Sequence, residues 1–248
     1  MSNNKDYSNA FLTHRVADLE LLDVVIENLE LNKDMRLLDF GCGTGNYLLA
    51  LQEKGYTKLF ALDVDDSMID IASKRTGIVV QNGSHLSIPF ENNYFDSIIL
   101  IAMIHFIDDL SSLFKNLNRV CMDRGRIVIV TQSHKQVSSR FYNQYFPSLV
   151  NIDKERYHEP QYIISMAQKN GFVLKGVQDY ATGKDMVIDD KYFELIKSKS
   201  FYVLRMLSDD EFEEGMKNFT KDLEKTGGNF VAPFAGWTII TLQKEDAL

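Results

Sequence analysis

A chain of 248 residues with 45% hydrophobic and 25% charged side chains has the make-up of a globular protein with a sizeable core. Its formal net charge of −8 supplies no overall basic field for duplex nucleic acid or for an anionic membrane surface. Two cysteines, Cys42 and Cys121, make neither a disulfide framework nor a metal-ligand spacing, so no metal site is expected. Apolar runs alternate with helical periodicity, the rhythm of a parallel sheet covered by helices. Residues 17–29 predict a first helix with Leu21, Leu22, Val25, Ile26 and Leu29 on one face. A strand over 36–40 then runs into Gly41, Gly43 and Gly45, and a helix over 46–53 follows at once. Such a turn lets backbone approach a nucleotide-like ligand, because a Cβ at these positions would block it.

A second strand, 58–62, ends at Asp63, 18 residues beyond Gly45. A carboxylate at that strand tip can accept hydrogen bonds from ribose hydroxyls. Ser67 and Asp70 have capping-box spacing at the head of a helix over 67–74. Strands over 78–81, 97–101 and 126–131 and a helix over 110–120 continue the alternation. Pro160 and Gly171 bracket a helix over 161–170. A strand over 172–179, helices near 191–205 and 208–225, and a β-branched strand over 237–243 complete the chain.

The glycine spacing separates two ligand classes. Dinucleotide folds use G-x-G-x-x-G, whereas this turn reads G-x-G-x-G and holds no basic residue that would favour a phosphate. That disfavours a nicotinamide-dependent oxidoreductase. Asp39, two residues ahead of Gly41, could instead meet a cationic amino group.

Leu38-Asp39-Phe40-Gly41-Cys42-Gly43-Thr44-Gly45 resembles the first motif of class I S-adenosylmethionine-dependent methyltransferases. Leu62-Asp63-Val64-Asp65 through Met68 is similar to the second, and Gly83-Ser84-His85-Leu86-Ser87-Ile88-Pro89-Phe90 to the third. Arg124-Gly125-Arg126-Ile127-Val128-Ile129 resembles the late turn and strand. The flanks resemble the small-molecule, methyltransferase-type-11-like branch. This resemblance implies an α/β, Rossmann-like, seven-stranded and mostly parallel sheet with an antiparallel terminal hairpin, helices on both faces and helical lid insertions. It implies one domain over 1–248, with a core near 17–133, 159–180 and 227–245 and lids near 134–158 and 189–226.

Carried onto this sequence, the cofactor-binding residues are Asp39, Gly41, Cys42, Gly43, Gly45, Asp63, Val64, Met68, Gly83, Ser84, His85 and Ala102. Ser84 stands where the family often has an aspartate that meets the adenine amino group. Methyl transfer from a sulfonium needs chiefly alignment and exclusion of water, and a base only when the acceptor must lose a proton. His105, past the fourth strand, and His134, after the fifth, are the candidate bases; for each the alternative is a hydrogen-bonded histidine that lines the cofactor or packs beneath the lid. Tyr142, Tyr145 and Tyr157 are candidate walls of an acceptor pocket, with Tyr7 as a cover and Arg140, with Arg156, as partners for an acceptor carboxylate. The alternative is that these aromatics pack the lid helices and the arginines pair with nearby acids.

The expected activity is methyl transfer from S-adenosylmethionine to a small organic acceptor, leaving S-adenosylhomocysteine. Cyclisation or lyase chemistry with the same cofactor, and a non-catalytic cofactor-binding regulator, remain as alternatives. The absence of an Asn/Asp-Pro-Pro-Tyr/Phe motif and of a paired-glutamate loop points away from nucleic-acid bases and protein arginines as acceptors. Met1 leads into Ser2-Asn3-Asn4-Lys5 and no apolar stretch has membrane length. A cytoplasmic monomer or homodimer, with no nucleic-acid or membrane partner, is expected.

Overall fold

The computed structural model describes residues 16–246. Tyr7 and the flank Thr13-His14-Arg15 lie outside the described residues. Two compact units emerge, one formed by 16–131, 159–178 and 238–246, the other by 132–158 and 179–237.

In the first unit, helix α1 (Leu19–Leu29) is capped by Asp18, whose carboxylate accepts from Leu21 N. It is followed by β1 (Leu37–Phe40), α2 (Asn46–Glu53), β2 (Leu59–Asp63), α3 (Asp66–Thr76), β3 (Val80–Asn82), β4 (Phe95–Ile101), α4 (Leu110–Val120) and β5 (Cys121–Thr131). β1 is buried along its whole length, as expected for a parallel strand covered on both faces. Leu110, Leu113, Phe114, Leu117 and Val120 form a single buried stripe on α4. β5 starts at once after α4, five residues earlier than the sequence suggests, with Arg124 at φ +63°. The N-cap of α3 is also displaced: Asp65, rather than Ser67, accepts from Ser67 N at 2.8 Å, while Asp70 pairs with Lys74.

Helix α7 (Pro160–Lys169), β6 (Phe172–Tyr180) and β9 (Trp237–Lys244) complete the main sheet. Its strand order is β3-β2-β1-β4-β5-β9-β6. Neighbours from β3 to β5 pair in parallel, and β9 runs antiparallel to β5. The chain winds outward from β1 in one direction through β2 and β3, then in the other through β4 and β5. The switch point therefore lies between the carboxyl ends of β1 and β4, where open α/β sheets bind ligands.

The second unit contains α5 (His134–Ser138), α6 (Leu149–Arg156), α8 (Asp190–Lys197), α9 (Asp209–Lys225) and a two-stranded antiparallel sheet of β7 (Asp185–Ile188) and β8 (Phe230–Pro233). Its core gathers Tyr142, Tyr145, Phe146, Leu149, Ile188, Ile196, Leu204 and Phe219. The Phe146 ring lies so close to α9 that a Cβ on Gly215 would come within 2.2 Å of it. The helix expected over 191–205 stops at Lys197; Lys199 adopts φ +50° and a 3-10 turn occupies Tyr202–Met206. Among the described residues no helix is long and apolar enough to cross a membrane.

Candidate functional site

The turn that joins β1 to α2 sits at the switch point. Gly41, Gly43 and Gly45 all have positive φ, +76°, +54° and +78°, but for different steric reasons. A Cβ on Gly41 would come within 2.9 Å of Met103 Cε, and one on Gly45 within 2.9 Å of Thr76 Cγ2. A Cβ on Gly43 would meet nothing within 4 Å. Two glycines thus let the turn close against its neighbours, while the third presents bare backbone to open space. Gly41 N and Cys42 N donate to the Leu62 carbonyl at 2.8 and 3.1 Å, which ties the turn to β2. On the opposite side, Arg75 of α3 donates to the Thr44 carbonyl at 2.7 Å and to Asn46 Oδ1 at 2.8 Å.

Asp63 holds the front of the turn. Its Oδ2 accepts from Gly43 N at 2.8 Å, and its Oδ1 accepts from Val64 N and Asp65 N at 2.8 and 3.0 Å. Three backbone donors fix the carboxylate, leaving lone-pair capacity directed elsewhere. Asp39 is 3% exposed; burial, and then the charge of Asp63, push its carboxyl up to about 7. Burial also raises the Cys42 thiol, and Asp39 and Asp63 raise it further, so Cys42 is a poor thiolate and fills space.

The loops after β3 and β4 supply the remaining residues expected from sequence. Gly83 N donates to the Asp63 carbonyl at 3.1 Å, and the Ser84 hydroxyl accepts from Leu86 N at 3.2 Å. Asn116 of α4 holds that loop through the His85 carbonyl at 3.0 Å. Val64 is exposed and Met68 half-buried at the head of α3. Ala102 has φ +52°, a conformation rare for alanine, while its N–H donates to the Val130 carbonyl. The 3-10 turn that follows buries His105 beside Phe106, with ring centroids 4.3 Å apart. Met103, Arg75 and Asn116 were not legible as site residues, because no spacing rule links them to the glycine turn.

The second unit ties up the other candidates. His134 Nε2 lies 2.7 Å from the Tyr157 carbonyl oxygen. A carbonyl only accepts, so Nε2 is the donor in this contact. Asp153 receives both arginines: the Arg140 guanidinium on Oδ2 and Arg156 Nη1 on Oδ1 at 2.8 Å. Arg140 also donates to Gln132 Oε1 at 2.8 Å and to the Tyr142 hydroxyl at 3.0 Å, and lies over the Tyr157 ring. Tyr145 donates to Asp222 Oδ2 at 3.2 Å and stacks on Phe219. Burial pushes the phenols of Tyr142 and Tyr145 up to about 12, so both stay neutral at ordinary pH. A polar groove of about 380 Å³, lined by Glu27, Asn28, Glu30, Arg126, Lys175, Gln178 and Thr241, contains none of the glycine-turn residues.

Asp63→Ala is expected to weaken binding of S-adenosylhomocysteine by about 1.5–3 kcal/mol, the range for a hydrogen bond to a charged group. It also strips a partner from three amides, so melting should begin earlier. Unchanged affinity by calorimetry on a folded variant would remove Asp63 from the site.

Comparison with known proteins bears on the domain and the fold. Residues 38–129 match the methyltransferase domain family. An uncharacterized methyltransferase from Staphylococcus carnosus (strain TM300) is 26% identical over 189 residues, 68% of this chain and 86% of its own length. A demethylmenaquinone methyltransferase from Staphylococcus aureus (strain MRSA252) is 24% identical over 163 residues, 62% of this chain and 68% of its own. Among solved structures, a putative methyltransferase from an antibiotic biosynthesis pathway of Anabaena variabilis ATCC 29413 superposes with a TM-score of 0.75 at 21% identity, covering 95% of this chain and 99% of the other. Geranyl diphosphate C-methyltransferase from Streptomyces coelicolor A3(2), solved with Mg²⁺, geranyl diphosphate and S-adenosyl-L-homocysteine, superposes with a TM-score of 0.57 at 14% identity, covering 91% and 80%. Over residues 38–129 the chain thus resembles the methyltransferase domain, the relatives it matches are methyltransferases, and it shares its fold with solved methyltransferase structures.

Proposed function

We propose that the protein transfers a methyl group from S-adenosylmethionine to a small organic acceptor. The observation that carries this reading is the bare, open face of Gly43 beside the fixed Asp63 carboxylate. A cradle that only a ligand would fill, next to an acid with spare acceptor capacity, suits a nucleoside with ribose hydroxyls. Asp39 adds a buried negative charge suited to an amino-acid ammonium. The residues proposed to hold the cofactor are thus Asp39, Gly41, Gly43, Gly45 and Asp63, with Val64, Met68 and the Gly83–His85 loop on the adenine side.

When bound, S-adenosylmethionine supplies a methyl already activated on a sulfonium. This chain's residues then have little covalent chemistry to do. The glycine turn and Asp63 orient the ligand, and the arginine clamp from α3 keeps the turn from fraying. His105 is the residue proposed to take a proton where the acceptor must lose one. The acceptors named for the two compared enzymes, demethylmenaquinone and geranyl diphosphate, are organic molecules rather than macromolecules, which supports the acceptor class proposed here.

The test is calorimetry of the whole chain with S-adenosylhomocysteine and, separately, NADH. Binding of the first and not the second is expected, and the reverse would overturn the reading. Gly43→Val should abolish that binding while far-UV circular dichroism shows a still mostly folded protein, since the new side chain meets no protein atom within 4 Å and strains only the local backbone at φ +54°. Product mass spectrometry on candidate acceptors then separates methyl transfer from cyclisation or lyase chemistry.

A further inference from the structure

The outer strand β6 lacks the cover that protects the rest of the main sheet. It pairs with β9 on one side and has no strand on its other side among the described residues. Six of its nine residues are exposed, including Val173, Leu174 and Val177 at 37%, 38% and 44%. The opposite edge, β3, is only three residues long. A long, apolar, open edge is a template for another strand, and proteins normally blunt one with charge. The charges on β6 do the opposite. Lys175 and Asp179 are its only charged residues, opposite in sign and symmetrically placed about Val177.

Antiparallel pairing of two such strands about a two-fold axis at Val177 sets Lys175 of each copy opposite Asp179 of the other. The same register places Val177 against Val177 and Leu174 against Tyr180. Moving the axis one residue either way, to Gly176 or Gln178, leaves both charges opposite uncharged residues. The strand is therefore electrically neutral, self-complementary in one register and sticky on its side chains. We propose that the chain forms a two-fold dimer by antiparallel pairing of β6 with β6 of a second copy, continuing the sheet across the interface. An isologous contact of this kind closes on itself and does not propagate. A single strand edge buries less than the ~800 Å² per partner of a standard interface, and the chain's −8 charge opposes contact, so association belongs in the micromolar range.

Sedimentation equilibrium on the whole chain across the micromolar range tests this. The wild type should show concentration-dependent dimerisation. Lys175→Asp should weaken it about tenfold or more, since each of two cross-strand pairs turns from attractive to repulsive. Asp179→Lys should do the same, although it also loses the 3.4 Å contact with Gln136. Mixing the two single variants should restore dimers, as should the double variant Lys175→Asp/Asp179→Lys. Both positions are exposed, so folding is checked by circular dichroism. A wild type that stays monomeric, a dimer indifferent to Lys175→Asp, or a failure of the double variant to recover would each overturn the proposal. None of these results depends on which cofactor the protein binds.

Discussion

Asp153→Ala is expected to destabilise the protein by about 3–5 kcal/mol, the cost of removing one partner from a buried ion pair. The Asp153 side chain is 2% exposed, and its two partners, Arg140 and Arg156, are 10% and 16% exposed. Deleting the carboxylate leaves two guanidiniums packed together with no anion between them. Water can reach little of either, so their mutual repulsion is weakly screened. For a chain of this length that loss corresponds to a fall in melting temperature of roughly 6–20 °C. Asp153→Asn should sit between, because the amide oxygen still accepts one hydrogen bond but carries no charge. Replacing Arg140 with Met in the Asp153→Ala background should recover part of the loss by removing one of the two cations left without the carboxylate. A shift of less than ~2 °C in Asp153→Ala would show that solvent screens the cluster well.

Asp39→Asn is expected to do something less usual, stabilising the ligand-free protein while weakening its binding of ligand. The folded carboxyl titrates near 7 against 3.8 for the ordinary group. Between those values the native state binds more protons than the unfolded chain, so Asp39 makes stability fall as pH rises from about 4 to 7. Above 7 the full penalty applies. Its ceiling is about 4 kcal/mol at ~1.4 kcal/mol per pH unit, and relaxation around the charge brings a realistic figure to about 2 kcal/mol. An asparagine has no charge to bury, so the variant should melt several degrees above wild type at pH 8 and level with it at pH 4. A cationic ligand group would lose its counter-charge in the same variant, lowering affinity for S-adenosylhomocysteine about tenfold or more. Identical melting differences at pH 4 and pH 8 would show that Asp39 is not held in this strained state of ionisation.

Much of this was legible in the sequence because central parallel strands are almost purely apolar and end abruptly. Leu37-Leu38 and Leu59–Leu62 announce β1 and β2, and the residues that interrupt or end them, Asp39 and Asp63, are the ones proposed to hold the cofactor. Elements whose signal is weak locally were harder to see. β7 and β8 are four residues each, one beside a Thr-Gly turn and the other ending in Pro233, and they exist because they pair with each other. The break after Lys197 follows from Ser198 and Ser200, whose hydroxyls bond each other at 2.8 Å while Lys199 turns left-handed. No propensity scale marks a lysine for that conformation. Within the site, the positions of the glycines and acids could be read, but not their connection. That Asp63 grips Gly43 through its amide, or that two arginines 16 residues apart share Asp153, depends on distances only the folded chain supplies.

The place of β9 in the sheet has a consequence for how the molecule is made. The strand formed last in sequence lies inside the sheet, between β5 and β6, rather than at an edge. On a ribosome, β1 to β5 can assemble as soon as residue 131 is clear, since every pairing among them is already encoded. β6 then emerges with no neighbour to bond. It waits until Trp237–Lys244 arrives, a gap of 56 residues between Tyr180 and Trp237, or roughly 3–11 s of synthesis at 5–20 residues per second. During that interval both β6 and the open side of β5 are unpaired strands in a nascent chain. Shielding by chaperones should matter most in that window, and it closes when β9 slots in between them.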